Sequence, residues 1–341
     1  MVGFIRPFLV FGPSSHSNAE YYICTKITKI LIMMKDRCTF ECVAGLWARE
    51  KRMYVKRSTY AAYSLILTNH LVPAFGRMTD IKEEDVQDFV FERLGAGRSQ
   101  KTVKDMIVVL KMVIRYAAKH EYMQDRQIKV HFPTERERSE LPVLCRADQK
   151  RLMKYVTDNF SFRNLGIFIC LNAGLRIGEL CALKWENLDV CREVIVVDKT
   201  IQRIYFAEGG CRWTELRIDT PKSANSMREI PMTKELLKIV KPLRKIVNPS
   251  CFVLTNSMSP TEPRTYRNYY NKLVGEIGIP PLKFHGLRHS FATRCIEGKC
   301  DYKTVSVLLG HSNISTTLNL YVHPDINQKK RCVEQMYRSL K

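Results

Sequence analysis

A change of hydrophobic period constrains this chain more than any other feature. Up to about residue 130 the patterned stretches repeat their apolar side chains at helical spacing, and two-residue alternation enters only well after residue 145. Between them, 131–144 (HFPTERERSELPVL) carries two prolines and a charged run with no apolar period, the signature of a linker. A length of 341 residues suits two domains. The chain therefore divides into a helical unit at 38–130, the linker, a larger unit at 145–330 and a C-terminal tail at 331–341. An extension, 1–37, precedes them and is expected to lack order.

In the first unit, 39–52 and 58–71 read as helices, a turn is expected at Pro73 to Gly76, and an acidic start opens a helix at 82–94. The clearest helix is 100–119. Ser99 is its N-cap, and Val103, Met106, Ile107, Leu110, Val113, Ile114 and Ala117 form one apolar stripe. Lys101, Lys104, Lys111 and Arg115 lie off that stripe and are candidate binding residues. The second unit begins with helices at 147–159, 163–174 and 177–184. Glu193 to Asp198 is then rich in β-branched residues, Thr214 to Asp219 alternates, and Arg228 to Met232 reads as a third short strand. Helices return at 233–246, 262–278, 286–297, 302–309 and 313–321. Residues 325–341 read as a basic final helix with Val333, Met336 and Leu340 on one side. The fold class is mainly α: a helical first domain, then a mostly helical α+β domain with a small antiparallel sheet.

Charge narrows the partner. The chain carries 55 Lys+Arg against 34 Asp+Glu, a net +21. The excess is shared, with +5 over 38–130 and +12 over 145–330, so it is no detachable tail. Such a balance suits a polyanion, nucleic acid before a membrane, because no basic amphipathic anchor stands out and the run near Lys29 to Met34 is too short to span a bilayer. Two basic domains could grip a duplex from opposite sides. Twelve cysteines occur without a C-x-x-C pair, several inside apolar runs, and are expected to be mostly reduced and buried in a cytoplasmic protein. Arg6 interrupts the apolar opening, which fits a signal peptide poorly, and Met33 or Met34 could start translation.

Four segments of the second unit carry chemistry. In Ala173-Gly174-Leu175-Arg176-Ile177-Gly178-Glu179-Leu180, Arg176 sits at a helix-to-helix junction, where it either pairs with Glu179 or faces an anion. Lys222 follows the alternating strand in Thr220-Pro221-Lys222-Ser223, as a surface charge or a reaching side chain on a hairpin. His285-Gly286-Leu287-Arg288-His289 places two histidines one helical turn apart. The glutamate of a zinc-protease helix is missing, however, whereas His285 and Arg288 share a face suited to phosphate. Last, Gly310 suits a helix end, His311 follows it, and Tyr321 closes another short helix.

Singly these residues have ordinary structural readings. Together, Arg176, Lys222, His285, Arg288, His311 and Tyr321 resemble the signature of the tyrosine recombinase (phage integrase) family. The matching strings are AGLRIGEL at 173–180, HGLRHSFAT at 285–293 and LLGHSNISTTLNLYVH at 308–323. The resemblance covers 145–330, and the 38–130 unit resembles the family's core-DNA-binding domain.

The resemblance implies attack by the Tyr321 hydroxyl on a DNA phosphodiester, giving a 3′-phosphotyrosine. Arg176 and Arg288 would clamp the non-bridging oxygens, so no metal or other cofactor is needed, and His311 would add a hydrogen bond. A tyrosine hydroxyl with a pKa of about 10 needs a base, for which His285 is the candidate, and Lys222 is the candidate acid for the leaving oxygen. Glu179 and His289 are expected to support the site. The implied partners are double-stranded DNA with a specific core site, a homotetramer on that DNA, and an accessory DNA-bending or directionality factor, with no membrane. A type IB topoisomerase-like relaxing activity and a non-catalytic DNA-binding role are the alternatives. For the final helix, docking on a neighbouring protomer and packing on its own domain are both open.

Overall fold

A computed structural model describes residues 38–134, 142–208, 211–220, 226–322 and 326–340. Two compact units emerge: Met1–Glu135 with Tyr205–Trp213, and Arg136–Ile204 with Thr214–Lys341. The expectations for 1–37 lie outside the described residues.

The first unit contains α1 (Phe40–Tyr54), α2 (Arg57–Ile66), α3 (Val72–Phe75), α4 (Glu83–Gly95) and α5 (Gln100–Lys119). Ser99 caps α5 by accepting the Thr102 N–H at 3.2 Å, and its whole apolar stripe is buried. Each such side chain taken from water stabilises by roughly 1.5–3 kcal/mol, which makes α5 the spine of this unit. Phe40, Trp47, Leu71, Phe75 and Phe89 pack around it. The turn expected at Pro73 to Gly76 is instead helical. A π-helical turn at Leu67–Leu71 runs into α3, where Pro73 occupies the first turn and its missing N–H costs little. The linker's first residues are tied to this unit, because the Gln87 side chain bonds both the N–H and the C=O of His131.

The second unit begins with α6 (Arg146–Asp158), α7 (Phe162–Ala173) and α8 (Ile177–Ala182). Strands β1 (Leu188–Asp189), β2 (Val194–Val197) and β5 (Arg228–Pro231) form an antiparallel sheet in the order β1-β2-β5, with Ile195 opposite Leu188 and Ile230. Strands β3 (Thr200–Glu208) and β4 (Cys211–Asp219) pair separately. The sequence reading found the β4 alternation but missed β3, where Arg203 and the mixed run around it blur the two-residue period. Then come α9 (Lys234–Arg244), α10 (Pro263–Glu276), α11 (His285–Glu297), α12 (Tyr302–Leu309), α13 (Ile314–Tyr321) and α14 (Ile326–Arg338).

Helix α7 lies at the centre of this unit, with Leu165 to Leu171 buried on every face. A helix apolar all round must be enclosed, and the α6, α10 and α11 side chains enclose it. Leu144 is buried at the edge of this core, and its N–H donates to Ser290 Oγ at 2.8 Å. Among the described residues all eleven cysteines are free, but six of them are exposed, so the expectation of mostly buried thiols fails. Several of those six, such as Cys191 and Cys300, lie in turns rather than apolar runs. Among the described residues no helix is long and apolar enough to cross a membrane.

Candidate active site

Two left-handed glycines shape the site. Gly174 ends α7 at φ 62° and Gly310 ends α12 at φ 64°, a backbone state that costs glycine no Cβ clash. A Cβ on Gly174 would also meet the Phe291 ring at 2.5 Å. The turn after Gly174 delivers Arg176 to the start of α8, and the turn after Gly310 delivers His311.

Three arginines then converge on the end of α12. Arg228 Nε donates to the Leu308 carbonyl at 2.7 Å, Arg288 Nη2 to that of Leu309 at 2.6 Å, and Arg176 Nη2 to that of Gly310 at 3.1 Å. Arg288 Nη1 also donates to the Gly174 carbonyl at 2.9 Å, so one guanidinium caps the C-termini of both α7 and α12. Helix C-termini carry partial negative charge and leave carbonyls unpaired, and both favour these cations. Arg288 is 1% exposed. Burial and then Arg176 push it away from the charged form, but a guanidinium keeps its charge at neutral pH. Two carbonyls use two of its five N–H groups, leaving donors for a further anion.

Glu179 holds the arginines together. It accepts from the Arg176 N–H at 2.9 Å and Nη1 at 2.7 Å, and from Arg228 Nη1 at 3.1 Å and Nη2 at 2.9 Å. The Glu179 and Arg228 side chains are each 3% exposed. Burial pushes the Glu179 carboxyl up, but the hydrogen bonds and charge of Arg228, then Arg176, outweigh it and hold it below the usual range. The sequence pattern marks Arg228 only as the start of a strand. Its alternation with Ile230 puts it on the buried face of β5, and a buried arginine demands a carboxylate.

Tyr321 closes α13 and packs with Ala292, Val305 and Leu309. Its hydroxyl lies 2.7 Å from His289 Nδ1. Burial raises the phenol's pKa, while Arg288 and Arg176 pull against that. His285, at the exposed start of α11, sets its ring edge-to-face on His289 with centroids 4.7 Å apart. His311 Nδ1 lies 2.8 Å from Thr317 Oγ1.

The fold thus gathers Arg176, Arg288 and His311 at the end of α12, and Tyr321, His289 and His285 along α11 and α13. Lys222 lies outside the described residues. Lys101, Lys104 and Arg115 are exposed on α5 in the first unit, and Lys111 is half-buried there.

The histidines make a pH dependence. Desolvation, followed by the charges of Arg288, Arg176 and Arg228, depresses His311 to about 4, and desolvation, then Arg288, lowers the half-buried His289 as well. An unfolded chain protonates these rings near 6.5, so it holds more protons than the folded chain between the two values. Their stabilisation is complete above about pH 6.5 and falls away toward pH 4. The Tm should therefore decline from pH 7 to 4.5, and less steeply in His311→Gln; equal slopes would remove His311 from the account.

Residues 142–328 match the phage integrase family, and 39–92 match the N-terminal SAM-like domain of phage integrases. A tyrosine recombinase XerC-like protein of Caldanaerobacter subterraneus subsp. tengcongensis is 29% identical over 309 residues, covering 84% of this chain and 79% of that protein. The ICEBs1 integrase of Bacillus subtilis is 20% identical over 313 residues, 87% and 82% of the two chains. In fold, the Tn1549 transposon integrase in complex with a circular intermediate DNA superposes with a TM-score of 0.69 at 23% identity, covering 86% of this chain and 99% of that one.

Proposed function

The chain belongs to the phage integrase family, whose tyrosine recombinases and integrases break and rejoin DNA strands, and on that premise we propose that it is a site-specific DNA recombinase acting through a covalent 3′-phosphotyrosine. The observation that carries the reading is the convergence of Arg176, Arg288 and His311 on one helix end, with the Tyr321 hydroxyl held by hydrogen bond within the same small set of helices.

A phosphodiester gains charge on its non-bridging oxygens as a fifth oxygen approaches phosphorus. Arg176 and Arg288 supply planar, charge-assisted donors already fixed by backbone carbonyls, so little reorganisation remains for the transition state. His311, oriented through Thr317, donates a further hydrogen bond. The Tyr321 oxygen attacks and passes its proton to a histidine of α11, the 5′-oxygen leaves with a proton from Lys222, and the ester bond is kept in the phosphotyrosine. Rejoining is the reverse step, with a 5′-hydroxyl as nucleophile and neither metal nor ATP as a participant. The exposed α5 residues Lys101, Lys104 and Arg115, together with Lys111, contact the duplex backbone in this reading. The assembly is a homotetramer on two core sites in the cytoplasm, open to an accessory bending or directionality factor.

The test is covalent trapping by the full chain on nicked duplexes drawn from the sequence flanking the gene, in EDTA and without ATP. An SDS-stable, protease-sensitive adduct on a DNA 3′ end is expected. Tight, sequence-specific binding with no adduct would favour a non-catalytic DNA-binding protein. Adducts and plasmid relaxation without site preference would favour a topoisomerase.

A further inference from the structure

Resting on that reading, we infer that His289, rather than His285, accepts the Tyr321 proton as the phenol attacks phosphorus. The geometry is the ground for it. His289 Nδ1 lies 2.7 Å from the Tyr321 oxygen, inside the reach a general base needs. The phenol is buried and holds its proton at neutral pH, so it is the donor and Nδ1 the acceptor. That assigns the neutral tautomer with hydrogen on Nε2.

The pair is also mechanically fixed. His289 follows Arg288 on α11, and Arg288 is anchored to the ends of α7 and α12. Tyr321 is seated one helix away against Ala292, which lies on the turn after His289. His285 occupies the first position of the same helix, exposed, with its ring turned edge-to-face onto His289. It is thereby free to hydrogen-bond the phosphate instead. Among the described residues, the ionisable groups shown against His289 are His285 and Arg288 on α11 and Tyr321 on α13. Burial first, and Arg288 next, keep the ring neutral and ready to accept.

The Tyr321 O–H bond breaks and its proton passes to Nδ1 of His289, giving an imidazolium. The O–P bond forms while the P–O5′ bond breaks, and the departing 5′-oxygen takes a proton from Lys222. In rejoining, His289 returns its proton to the phenol.

His289→Asn is the informative substitution, because the asparagine amide overlays the Nδ1 edge of the ring and keeps a hydrogen-bond partner there without a basic nitrogen. Adduct formation is measured against pH under single-turnover conditions, with DNA affinity measured in parallel. The wild type should lose rate on the acid side as His289 protonates. His289→Asn should bind DNA within about twofold of wild type, cleave about 100-fold or more slowly, and lose that acid limb. A substrate with sulfur at the 5′-bridging position needs no proton on its leaving group, so it should not rescue His289→Asn. Rescue by sulfur would make His289 an acid, and a slowed variant that keeps the acid limb would make it a positioning residue; either overturns the inference. So would an unchanged His289→Asn beside a His285→Asn variant that shows the losses. A wild-type chain that forms no adduct on DNA it binds tightly would instead sink the recombinase reading, and this inference with it.

Discussion

Replacing Tyr321 with Phe should abolish the covalent adduct while leaving the protein folded and bound to DNA. The substitution removes one oxygen, and in the proposed chemistry that oxygen is the nucleophile. Losing a nucleophile with no substitute in place lowers the rate by about 10⁴-fold or more. The structural consequences are small by comparison. The Phe ring still fills the space among Ala292, Val305 and Leu309. What is lost is one hydrogen bond to His289 Nδ1, worth about 1 kcal/mol. The Tm should therefore move by only a few degrees and DNA affinity by less than about twofold. An adduct that survives Tyr321→Phe would place the nucleophile on another residue.

The second large effect belongs to residues that make no contact with substrate in this reading. Glu179 and Arg228 form a doubly hydrogen-bonded ion pair with both side chains 3% exposed. Removing one partner of such a pair leaves an uncompensated buried charge, a loss of about 3–5 kcal/mol. At roughly 2–4 °C per kcal/mol for a domain of this size, Arg228→Met should lower the Tm by about 6–20 °C. Glu179→Gln should cost at least as much, since it leaves Arg176, Arg228 and Arg288 facing one another without their carboxylate. At a temperature where the variants stay folded, adduct formation should fall by about 100-fold, because Arg228 secures the Leu308 carbonyl next to those held by Arg288 and Arg176. A Tm within about 2 °C of wild type in both variants would show that the pair contributes nothing net.

Much of this was readable from local pattern. The α5 stripe, the Ser99 cap, the central α7 and the α12 and α13 helices follow from spacing and capping residues that act within one or two turns. The candidate site residues were legible for a related reason: their residue types, order and short flanking strings make a recognisable set. The misreadings have physical causes too. The turn expected at Pro73 is helical because a proline's cost depends on whether an i−4 carbonyl is there to lose a partner, and the π-turn before it changes that. Strand β3 was missed because its buried residues, Ile201, Ile204, Phe206 and Ala207, do not keep a two-residue period. Arg203 interrupts the apolar pattern between them and is paired to Glu262 at 2.6 Å.

Sequence alone determined the helical character and the basic charge, and it supplied the candidate inventory of the site, because each depends on neighbours along the chain. Only the tertiary structure decided how that inventory is wired. Arg228, Arg288 and Arg176 take three successive carbonyls of one helix end from 80, 21 and 134 residues away. The choice of His289 over His285 as the partner of Tyr321 is of the same kind. The two histidines lie one helical turn apart with the same intrinsic chemistry, and which of them meets the phenol depends on where α13, with Tyr321 32 residues after His289, packs against α11.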